Sequence, residues 1–486
     1  MTNYIFTRQF PPQVISNFQA GDKLDFSAFN LSSFSQLLPF ITHSGADTIL
    51  TLKFNGFVES LTVKNHTLAA SDFLLNTSPA DLTVTGTDKV DFLFGGNGDD
   101  WFYPGGGAHT IAPGKGDWML GGKGDDIYSV RESADMIIEN ADEGFDQVAV
   151  STGGYHLPGG QEIEVLKTTS ATGTSQIALT GNEFAQTIIG NAGKNWITGG
   201  GDADAADVLR GLGGDDRYTI HNAATIVVEA EGGGFDTIEY YGLADFTLSS
   251  GSHVEMVSLS SRALNLTGNE LGQTLFGNAY DNILNGAGGA DTMAGRGGDD
   301  IYYVDNIHDN IQDEGIRDGV DRVATTVSWQ LLGGAIEFLN TTSLNGTKDI
   351  NLSGNNYAQK IVGNAGDNRL DGKGGLDTLV GYKGDDTFVL SWTGPYHSPT
   401  IADFTSGEDL IELRSLSFSL PSGALGAGVF RANTTGLAEG ASDRIIYDTD
   451  DGMLYYDPDG SGAYSKVLIA KFVGLPALAS SDFVVV

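Results

Sequence analysis

The most regular feature of the chain is a nine-residue pattern in which a polar, glycine-rich turn is followed by a short apolar stretch. From Gly268 the successive nonapeptides are GNELGQTLF, GNAYDNILN, GAGGADTMA and GRGGDDIYY. Glycine is favoured at the first and fourth positions, where we expect it to permit the positive backbone dihedrals of a tight turn. The seventh to ninth residues are predicted to form a short strand whose eighth side chain points inward. Two nonapeptides then make one coil of a parallel β-roll.

These nonapeptides are nested in a longer repeat of about 86 residues, whose copies begin at Gly181, Gly268 and Gly354. The third nonapeptide of the first copy carries a three-residue insertion near DADAAD. Within each copy the sixth position changes in the same order from amide to carboxylate: Gln186, Asn195, Asp207, Asp216; Gln273, Asn282, Asp291, Asp300; Gln359, Asn368, Asp377, Asp386. Because phase, spacing and this change all recur, the sixth position has a structural or chemical role.

The sixth position predicts a cation site. Side chains eighteen residues apart should stack on one edge of the roll, so that Asn282 lies above Asp300 and Gln273 above Asp291. Carboxylate and amide oxygens, with turn carbonyls of the second and fourth positions, are the hard ligands that Ca²⁺ prefers. The fifth-position aspartate should face solvent. The predicted metal-ligating residues are Asp91, Gly96, Gly98, Asp100, Gly124, Asp126, Asn195, Asp207, Gly214, Asp216, Asn282, Gly289, Asp291, Gly298, Asp300, Asn368, Gly375, Asp377, Gly384, Asp386, Asp457 and Asp459.

Net charge supports a cationic partner. The chain has 63 acidic and 26 basic residues, a formal net charge of -37, and no cysteine. Such a surface repels nucleic acid and anionic lipid, and carboxylates crowded at this density repel each other unless a cation neutralises them. Intrinsic disorder is disfavoured because 40% of the residues are apolar and because these apolar residues recur periodically along the chain. Thiolate metal sites and disulfides are excluded.

The nonapeptides GGNGDDWFY from Gly95 and GGKGDDIYS from Gly121 resemble the repeat of RTX (haemolysin-type) calcium-binding proteins. Segments that follow the GDD motifs, such as those from Tyr128 and Tyr218, resemble the strand-rich spacers of long secreted RTX proteins. The resemblance covers roughly residues 84–486 and implies several calcium ions and export by a type I secretion system. In such export an uncleaved carboxyl-terminal signal is read, which agrees with an amino terminus unlike a conventional signal peptide and implies an extracellular or cell-surface location.

Some positions depart from the pattern. His109 and Trp118 stand where aspartate is expected, so the block from Gly86 to Ser129 should bind fewer ions than its length allows. In the carboxyl-terminal segment, Asp457 and Asp459 belong to a D-x-D-x-S run that fits either a further calcium site or a polar hairpin turn.

The repeats predict an all-β fold of parallel β-roll calcium blocks with β-rich spacers, flanked by similar β end modules. The amino-terminal stretch ISNFQAGDKLDFSAF resembles IADFTSGEDLIELRS near the carboxyl terminus, and NYIFT resembles DTFVL, the last strand of a roll. The predicted domains are an amino-terminal β module at 1–80, a degenerate RTX block with spacer at 81–180, RTX modules at 181–267 and 268–353, a last block at 354–400, and an end module with the secretion signal at 401–486.

No enzymatic motif such as G-x-S-x-G, H-E-x-x-H or a P-loop is present, and no segment remains for a catalytic domain. The favoured hypothesis is a secreted calcium-binding structural protein that assembles through its end modules into a surface layer or extracellular filament. The alternative is a monomeric adhesin or calcium-dependent carbohydrate-binding protein, for which a cell-surface polysaccharide is the expected partner. An ice-binding solenoid is least favoured, because no regular threonine ladder lines one face.

Overall fold

The protein is described from a computed structural model. The described residues are 2–6, 12–29, 31, 33–54, 57–75, 79–86, 91–104, 116–151, 153–200, 205–312, 315, 319–391 and 397–486. They form two compact units, one of residues 1–242 with 251–254 and one of residues 243–250 with 255–486. This division does not follow the repeats, and the domain boundaries inferred from sequence stay predictions. Among the described residues, no helix has the length and apolar character needed to cross a membrane.

The amino-terminal part of the first unit contains two small sheets. The first is parallel, in the order Asn3–Ile5, Lys23–Asp25, Phe73–Leu74. The second has the order Gln13–Ile15, Phe57–Val63, Asp47–Phe54, Ile41–Ser44. Short 3₁₀ helices connect them: Ser27–Phe29, Ser35–Phe40 and Ala70–Asp72. The apolar side chains between these elements, including Leu24, Phe26 and Leu50, are buried in one core.

The rest of the first unit is a parallel β-roll with two walls. One wall has eight strands in this order: Thr83–Thr85, Trp101–Tyr103, Ile127–Val130, Gln147–Val150, Val165–Thr168, Thr187–Ile189, Val208–Arg210, Ile226–Val227. The opposite side has a sheet of Phe92–Phe94, Trp118–Leu120 and Met136–Ile138, and then the strands Gly154–His156, Ile177–Thr180, Asn195–Thr198, Arg217–Ile220 and Thr237–Tyr240. The chain alternates between walls, so within each sheet of the roll a strand pairs with the one two places along the chain.

The second unit repeats this arrangement. One wall runs through Phe246–Thr247, Asn265–Thr267, Ile283–Asn285, Ile301–Val304, Arg322–Thr325, Phe338–Thr341, Lys360–Val362, Thr378–Val380 and Thr400–Ile401, and continues into Val467–Phe472, Met453–Tyr456, Ile445–Asp448 and Phe430–Asn433. The other side has Met256–Leu259, Thr274–Phe276, Thr292–Ala294 and Asn310–Ile311, and the sheet Trp329–Gln330, Leu352–Ser353, Arg369–Asp371, Thr387–Leu390, Leu410–Leu413, Phe483–Val485, Gly423–Ala424. The helices are Ser415–Phe418 and the 3₁₀ turn Ser480–Asp482.

The strand register confirms the coil of two nonapeptides. Thr274 pairs with Thr292 and Ile283 with Ile301, each eighteen residues along the chain. The eighth-position side chains fill the roll interior and are fully buried: Phe102, Tyr128, Ile188, Ile197, Tyr218, Leu275, Leu284, Met293, Tyr302, Ile361, Leu370, Leu379 and Phe388. The predicted all-β fold of repeated parallel rolls is therefore confirmed.

The spacers are coils of the same roll, although they lack the nine-residue pattern. Ile127 pairs with Gln147 across a twenty-residue coil, and Arg322 pairs with Phe338 across one of sixteen residues. The sequence separates calcium blocks from spacers, whereas parallel pairing continues through both. The roll therefore tolerates coils of unequal length, because the additional residues lie in the turns between strands.

The two ends of the chain have the same pattern of strand pairing. In the amino-terminal module, Lys23–Asp25 lies between Asn3–Ile5 and Phe73–Leu74, all parallel. In the carboxyl-terminal module, Leu410–Leu413 lies between Thr387–Leu390 and Phe483–Val485 in the same sense. The flanking β modules are thus similar in structure as well as in sequence.

Candidate calcium sites

The nonapeptide turns owe their shape to two different properties of glycine. Fourth-position glycines have a left-handed backbone, with φ of +106° at Gly298 and +117° at Gly124. The same range is found at Gly214, Gly289, Gly375 and Gly384, whereas Gly98 lies outside it. Another left-handed residue stands at the second position of the nonapeptide, as at Arg296, which has φ +80°. These alternating dihedrals reverse the chain between the two walls.

The prediction that first-position glycines need positive dihedrals is wrong. None of Gly95, Gly121, Gly211 and Gly295 has a φ in the left-handed range. A Cβ at any of them would instead overlap the Oδ2 atom of the sixth-position aspartate of the same turn. Glycine is required at the first position because the carboxylate lies against its Cα.

The sixth-position aspartates form ladders along the edges of the rolls. The backbone N–H of Asn282 donates to Oδ1 of Asp300 at 2.7 Å, and the N–H of Asp300 donates to Oδ1 of Asp321 at 2.9 Å. The same bond recurs at these donor–acceptor pairs: Leu82–Asp100, Asp100–Asp126, Asp126–Asp146, Gln186–Asp207, Asn195–Asp216, Asp216–Asp236, Gln273–Asp291, Asp291–Asp309, Gln359–Asp377, Asn368–Asp386 and Asp386–Asp409. Each carboxylate therefore caps the coil before it and is buried by that coil.

Buried carboxylates crowded in this way favour a cation. The Oδ2 atoms of Asp126, Asp216, Asp291 and Asp300 are buried and accept no hydrogen bond from the described residues. Burial raises the pKa of Asp126 and Asp216 to about 8, and neighbouring carboxylates add to the shift. Burial likewise raises the pKa to about 7 at Asp291, Asp300, Asp377 and Asp386, and to about 6 at Asp207. Oxygen atoms without donors beside a polar turn fit Ca²⁺, which would stabilise the ionised form of each group.

The turns at the start of each block, which have an amide side chain at the sixth position, differ from the aspartate turns in their hydrogen bonds. Asn368 accepts the backbone N–H of Asn364 at 2.6 Å through Oδ1, and its Nδ2 donates to Oδ1 of Asn364 at 3.0 Å. Asn195 bonds with Asn191 in the same way, and Asn282 accepts from Asn278 and donates to main-chain carbonyls. Both polar atoms of these amides are satisfied within the protein. Hydrogen bonds therefore close these turns without the charge of a cation. The assignment of Asn195, Asn282 and Asn368 as calcium ligands stays a prediction.

The fifth-position aspartates are exposed, as expected from the sequence, yet they also accept backbone hydrogen bonds. Oδ1 of Asp299 accepts the N–H of Val320 at 2.9 Å, and Oδ1 of Asp215 accepts that of Phe235 at 2.9 Å. The two aspartates of each GDD motif therefore have separate roles, an exposed one that fixes the next turn and a buried one in the ladder.

In the first block the structure corrects the sequence register. Asp117, rather than the position of Trp118, continues the ladder, because Oδ1 of Asp117 accepts the N–H of Asp91 at 2.7 Å. The N–H of Asp117 then donates to Oδ1 of Asp135 at 3.0 Å, and burial raises the pKa of Asp117 to about 7. Asp117 stands twenty-six residues after Asp91, one fewer than three nonapeptides. The carbonyl of Gly96, a predicted ligand, accepts the N–H of Lys123. His109 lies outside the described residues.

The acidic turn near the carboxyl terminus is closed by its own side chains. Oδ1 of Asp457 accepts the N–H of Gly460 at 3.0 Å, and Oδ2 of Asp459 accepts that of Ala463 at 2.8 Å. These bonds favour the hairpin-turn interpretation. Oδ1 of Asp459 is buried and has no hydrogen-bond partner among the described residues, so a calcium site there stays a prediction.

The nonapeptide pattern does not identify the spacer residues that continue the ladders. Asp146, Asp236 and Asp321 occupy the acceptor position one coil after Asp126, Asp216 and Asp300. A recurring signal was present, since each follows a Gly-Phe or Gly-Val pair just before a strand. Two buried groups also bring three carboxylates together, with one oxygen from each residue within 4.8 Å of the others: Asp126, Glu139 and Asp146; Asp216, Glu229 and Asp236.

Comparison with known families agrees with these turns. A sequence model of the RTX calcium-binding nonapeptide repeat matches four stretches, residues 83–110, 180–206, 267–302 and 353–389. A search of curated proteins gave no match. The matched stretches contain Asp100, Asp300 and Asp386, while Asp126 and Asp216 lie outside them. The ladder nevertheless includes all five aspartates.

Proposed function

Because the chain is built on RTX calcium-binding nonapeptide repeats, we propose that it is an extracellular structural protein whose rolls fold when calcium binds. The observation that carries the proposal is the ladder of buried carboxylates, of which several have an oxygen without a hydrogen-bond donor. Without a cation, these groups repel each other and must take up protons to remain buried. Calcium binding therefore supplies folding free energy.

We also propose an extracellular location, which the RTX repeats support. RTX repeat proteins are usually extracellular and exported by type I systems. We expect half-saturation at about 0.1–1 mM Ca²⁺, the affinity range of extracellular modules. The chain would then be unfolded in the cytosol and would fold outside the cell. We propose no catalytic role for it.

Far-ultraviolet circular dichroism during a calcium titration tests the folding proposal. In excess chelator at neutral pH we expect a largely unfolded spectrum, with a cooperative transition to β-structure as calcium is added. Magnesium at the same concentration is the control, because its smaller octahedral shell fits these turns poorly. Full β-structure in chelator would contradict the proposal.

The end modules support assembly of the folded protein. The strands Asn3–Ile5 and Gln13–Ile15, here called the amino-terminal edge, are the outer strands of their sheets in the described residues. Ile5 pairs with Asp25 as Val389 pairs with Glu412 in the carboxyl-terminal module. Ile5 is 72% exposed on an outer strand, whereas Val389 is 2% exposed on a strand that lies between Asp371 and Glu412 of its two neighbours.

Among the described residues, the strand Asn3–Ile5 has a paired strand on one side only. Thr2 and Phe6 bond to the strand Lys23–Asp25, so the alternating groups of Asn3 and Ile5 point the other way. An exposed edge of this kind pairs readily with another chain. We expect the terminal region of a second copy to occupy it. The contact is heterologous, so it yields a filament or a sheet unless the rotation closes a ring.

A charged edge tests the assembly proposal. Ile5→Lys combined with Val14→Lys places two charges on the amino-terminal edge, and Leu332→Lys is a matched change at an exposed apolar residue of the roll. Light scattering and electron microscopy with calcium should detect polymers of the natural protein and of the control. The edge variant should have the same β-structure but remain monomeric. Equal polymerisation of all three would contradict assembly through this edge, and a monomeric natural protein would favour the soluble adhesin.

A further inference from the structure

Two clusters of acidic side chains in the first unit lie at the boundary between a nonapeptide block and the spacer that follows it. The first consists of Asp126, Glu139 and Asp146, and the second of Asp216, Glu229 and Asp236; we call them the spacer acid clusters. All six side chains are buried. The glutamates lie thirteen residues after the ladder aspartate, outside every nonapeptide.

Each cluster is completed by the tyrosine at the eighth position of the turn. The hydroxyl of Tyr128 contacts Oε1 of Glu139, and that of Tyr218 contacts Oε1 of Glu229. The N–H of Gly211 also donates to Oε1 of Glu229 at 2.9 Å. At Gly121 the Oδ2 of Asp126, the hydroxyl of Tyr128 and Oε1 of Glu139 converge so closely that a Cβ there would overlap all three.

Oxygen atoms in both clusters lack a donor. Oδ2 of Asp126 and Oε2 of Glu139 are buried and accept no hydrogen bond from the described residues. In the second cluster the same holds for Oδ2 of Asp216. Glu139 is 2% exposed, and its unused oxygen belongs to a group in which every member is an acid.

The chain provides its own comparison. Where the eighth position is Phe102 or Phe388, no acid stands thirteen residues after the ladder aspartate, because Pro113 and Pro399 occupy those positions. Where it is tyrosine, an acid is present, including Asp313 after Asp300, which lies outside the described residues. The hydroxyl and the spacer acid thus occur together, as expected if both serve one site.

We propose that each spacer acid cluster binds one calcium ion inside the roll, at a site where spacer acids join the sixth-position aspartate of the preceding nonapeptide turn. Three carboxylates and a tyrosine hydroxyl offer the hard oxygen atoms that Ca²⁺ takes, and a divalent charge compensates three buried acids better than protons can. The ion would join a nonapeptide block to the coil that follows it. A merely structural role would instead leave the glutamate protonated, as a hydrogen-bond partner of the tyrosine.

Counting bound ions distinguishes these two states. The full-length Glu139→Gln, Glu229→Gln variant keeps shape and hydrogen bonding but removes one charge from each cluster. Equilibrium dialysis followed by elemental analysis should find two fewer calcium ions per molecule, one for each cluster. Glu231→Gln, an exposed change in the same spacer, should leave the count unchanged. An unaltered count in the double variant would overturn the inference and leave the turn sites unaffected.

A second measurement needs no variant, in case the substitutions prevent folding. Infrared spectroscopy of the calcium-loaded natural protein at neutral pH reports the carbonyl stretch of protonated buried carboxyl groups. Bound calcium predicts that this band is absent and that it appears only when calcium is removed from acid-stabilised protein. A persistent band in the loaded protein would contradict ion binding in the clusters.

Discussion

At the scale of single residues, the two aspartates of a GDD motif differ in burial rather than in chemistry. Asp300 is buried, caps Asn282 and has an oxygen without a donor, whereas Asp299 is exposed and holds the N–H of Val320. We therefore expect Asp300→Ala to raise the calcium concentration needed for folding by about tenfold or more. Asp299→Ala should have a smaller effect, because it removes one backbone hydrogen bond.

Isothermal titration calorimetry on both variants checks this expectation. The heat and stoichiometry of calcium binding should fall for Asp300→Ala and remain close to natural values for Asp299→Ala. Equal losses would show that the assignment of the sixth position to the ion is wrong.

The sequence predicts which aspartate of the GDD motif is buried. The sixth position stands two residues before the inward-facing eighth position, and alternate side chains point to the same side. The sequence did not predict why the first-position glycine is needed. Sequence suggests backbone freedom, whereas at Gly295 the reason is the space taken by Oδ2 of Asp300. A requirement for space depends on a side chain that only folding brings close. A strict count of nine residues also places Trp118 rather than Asp117 at the sixth position, because Asp117 stands twenty-six and not twenty-seven residues after Asp91.

At the scale of elements, amide and carboxylate turns should respond differently to substitution. Asn278 accepts the N–H of Tyr280 at 2.8 Å and donates to the carbonyls of Ser261 and Ala263, so it closes its turn through hydrogen bonds alone. Asn278→Ala should lower the free energy of unfolding in saturating calcium by about 1–3 kcal/mol, because buried partners lose their bonds. The number of bound calcium ions should stay the same.

Urea unfolding at saturating calcium, combined with ion counting, tests this distinction. Asp291→Ala is the comparison at a carboxylate turn and should remove bound calcium as well as stability. Loss of an ion from the Asn278 variant would mean that the amide turn also coordinates calcium.

Coils built from nonapeptides were predictable, because glycine, the sixth-position residue and the inward side chain repeat in phase. The spacer coils were not. Their turns contain extra or missing residues, as in the twenty residues from Ile127 to Gln147 and the sixteen from Arg322 to Phe338. Because the number of residues per coil varies in the spacers, a fixed nine-residue period does not describe them. The acids Glu139 and Glu229 join the site through tertiary contact, and neither stands at the sixth position of a nonapeptide.

At the scale of the whole molecule, the ladders predict how the calcium-free protein depends on pH. Burial raises the pKa of the ladder carboxyls from 3.8 to about 7 at Asp300 and to about 8 at Asp126. The folded state without calcium therefore binds more protons than the unfolded chain. The stability contributed by these groups is complete below about pH 4 and is lost as pH rises through 7 to 8.

Circular dichroism of dialysed, calcium-free protein across this range is the measurement. β-structure should be greatest in acid and decrease toward neutral pH, in part because the net charge of -37 is also reduced by protonation. Added calcium should remove the dependence above pH 6. More β-structure at pH 8 than at pH 4 without calcium would contradict the assigned burial of the ladders.

The ladder bonds also have a direction, which bears on how the roll is nucleated. In each of them the donor N–H belongs to the earlier coil and the acceptor carboxylate to the later one, and in the second unit the last acceptor is Asp409 of the carboxyl-terminal module. A finished coil therefore presents its buried carboxylate to the coil that precedes it in sequence, whereas its exposed fifth-position carboxylate accepts from the coil that follows. Because the buried bond is shielded from water, we expect growth mainly from the carboxyl end backwards. Removing residues 401–486 should slow calcium-triggered folding in stopped-flow fluorescence far more than removing residues 1–80, because the bond of this kind from the N–H of Thr2 to Oδ1 of Asp22 lies wholly within the amino-terminal segment, whereas Asp409 accepts from Asp386 of the last calcium block. A chain whose carboxyl end left the cell first would consequently fold as it emerged, and each coil that closed would oppose the chain's return.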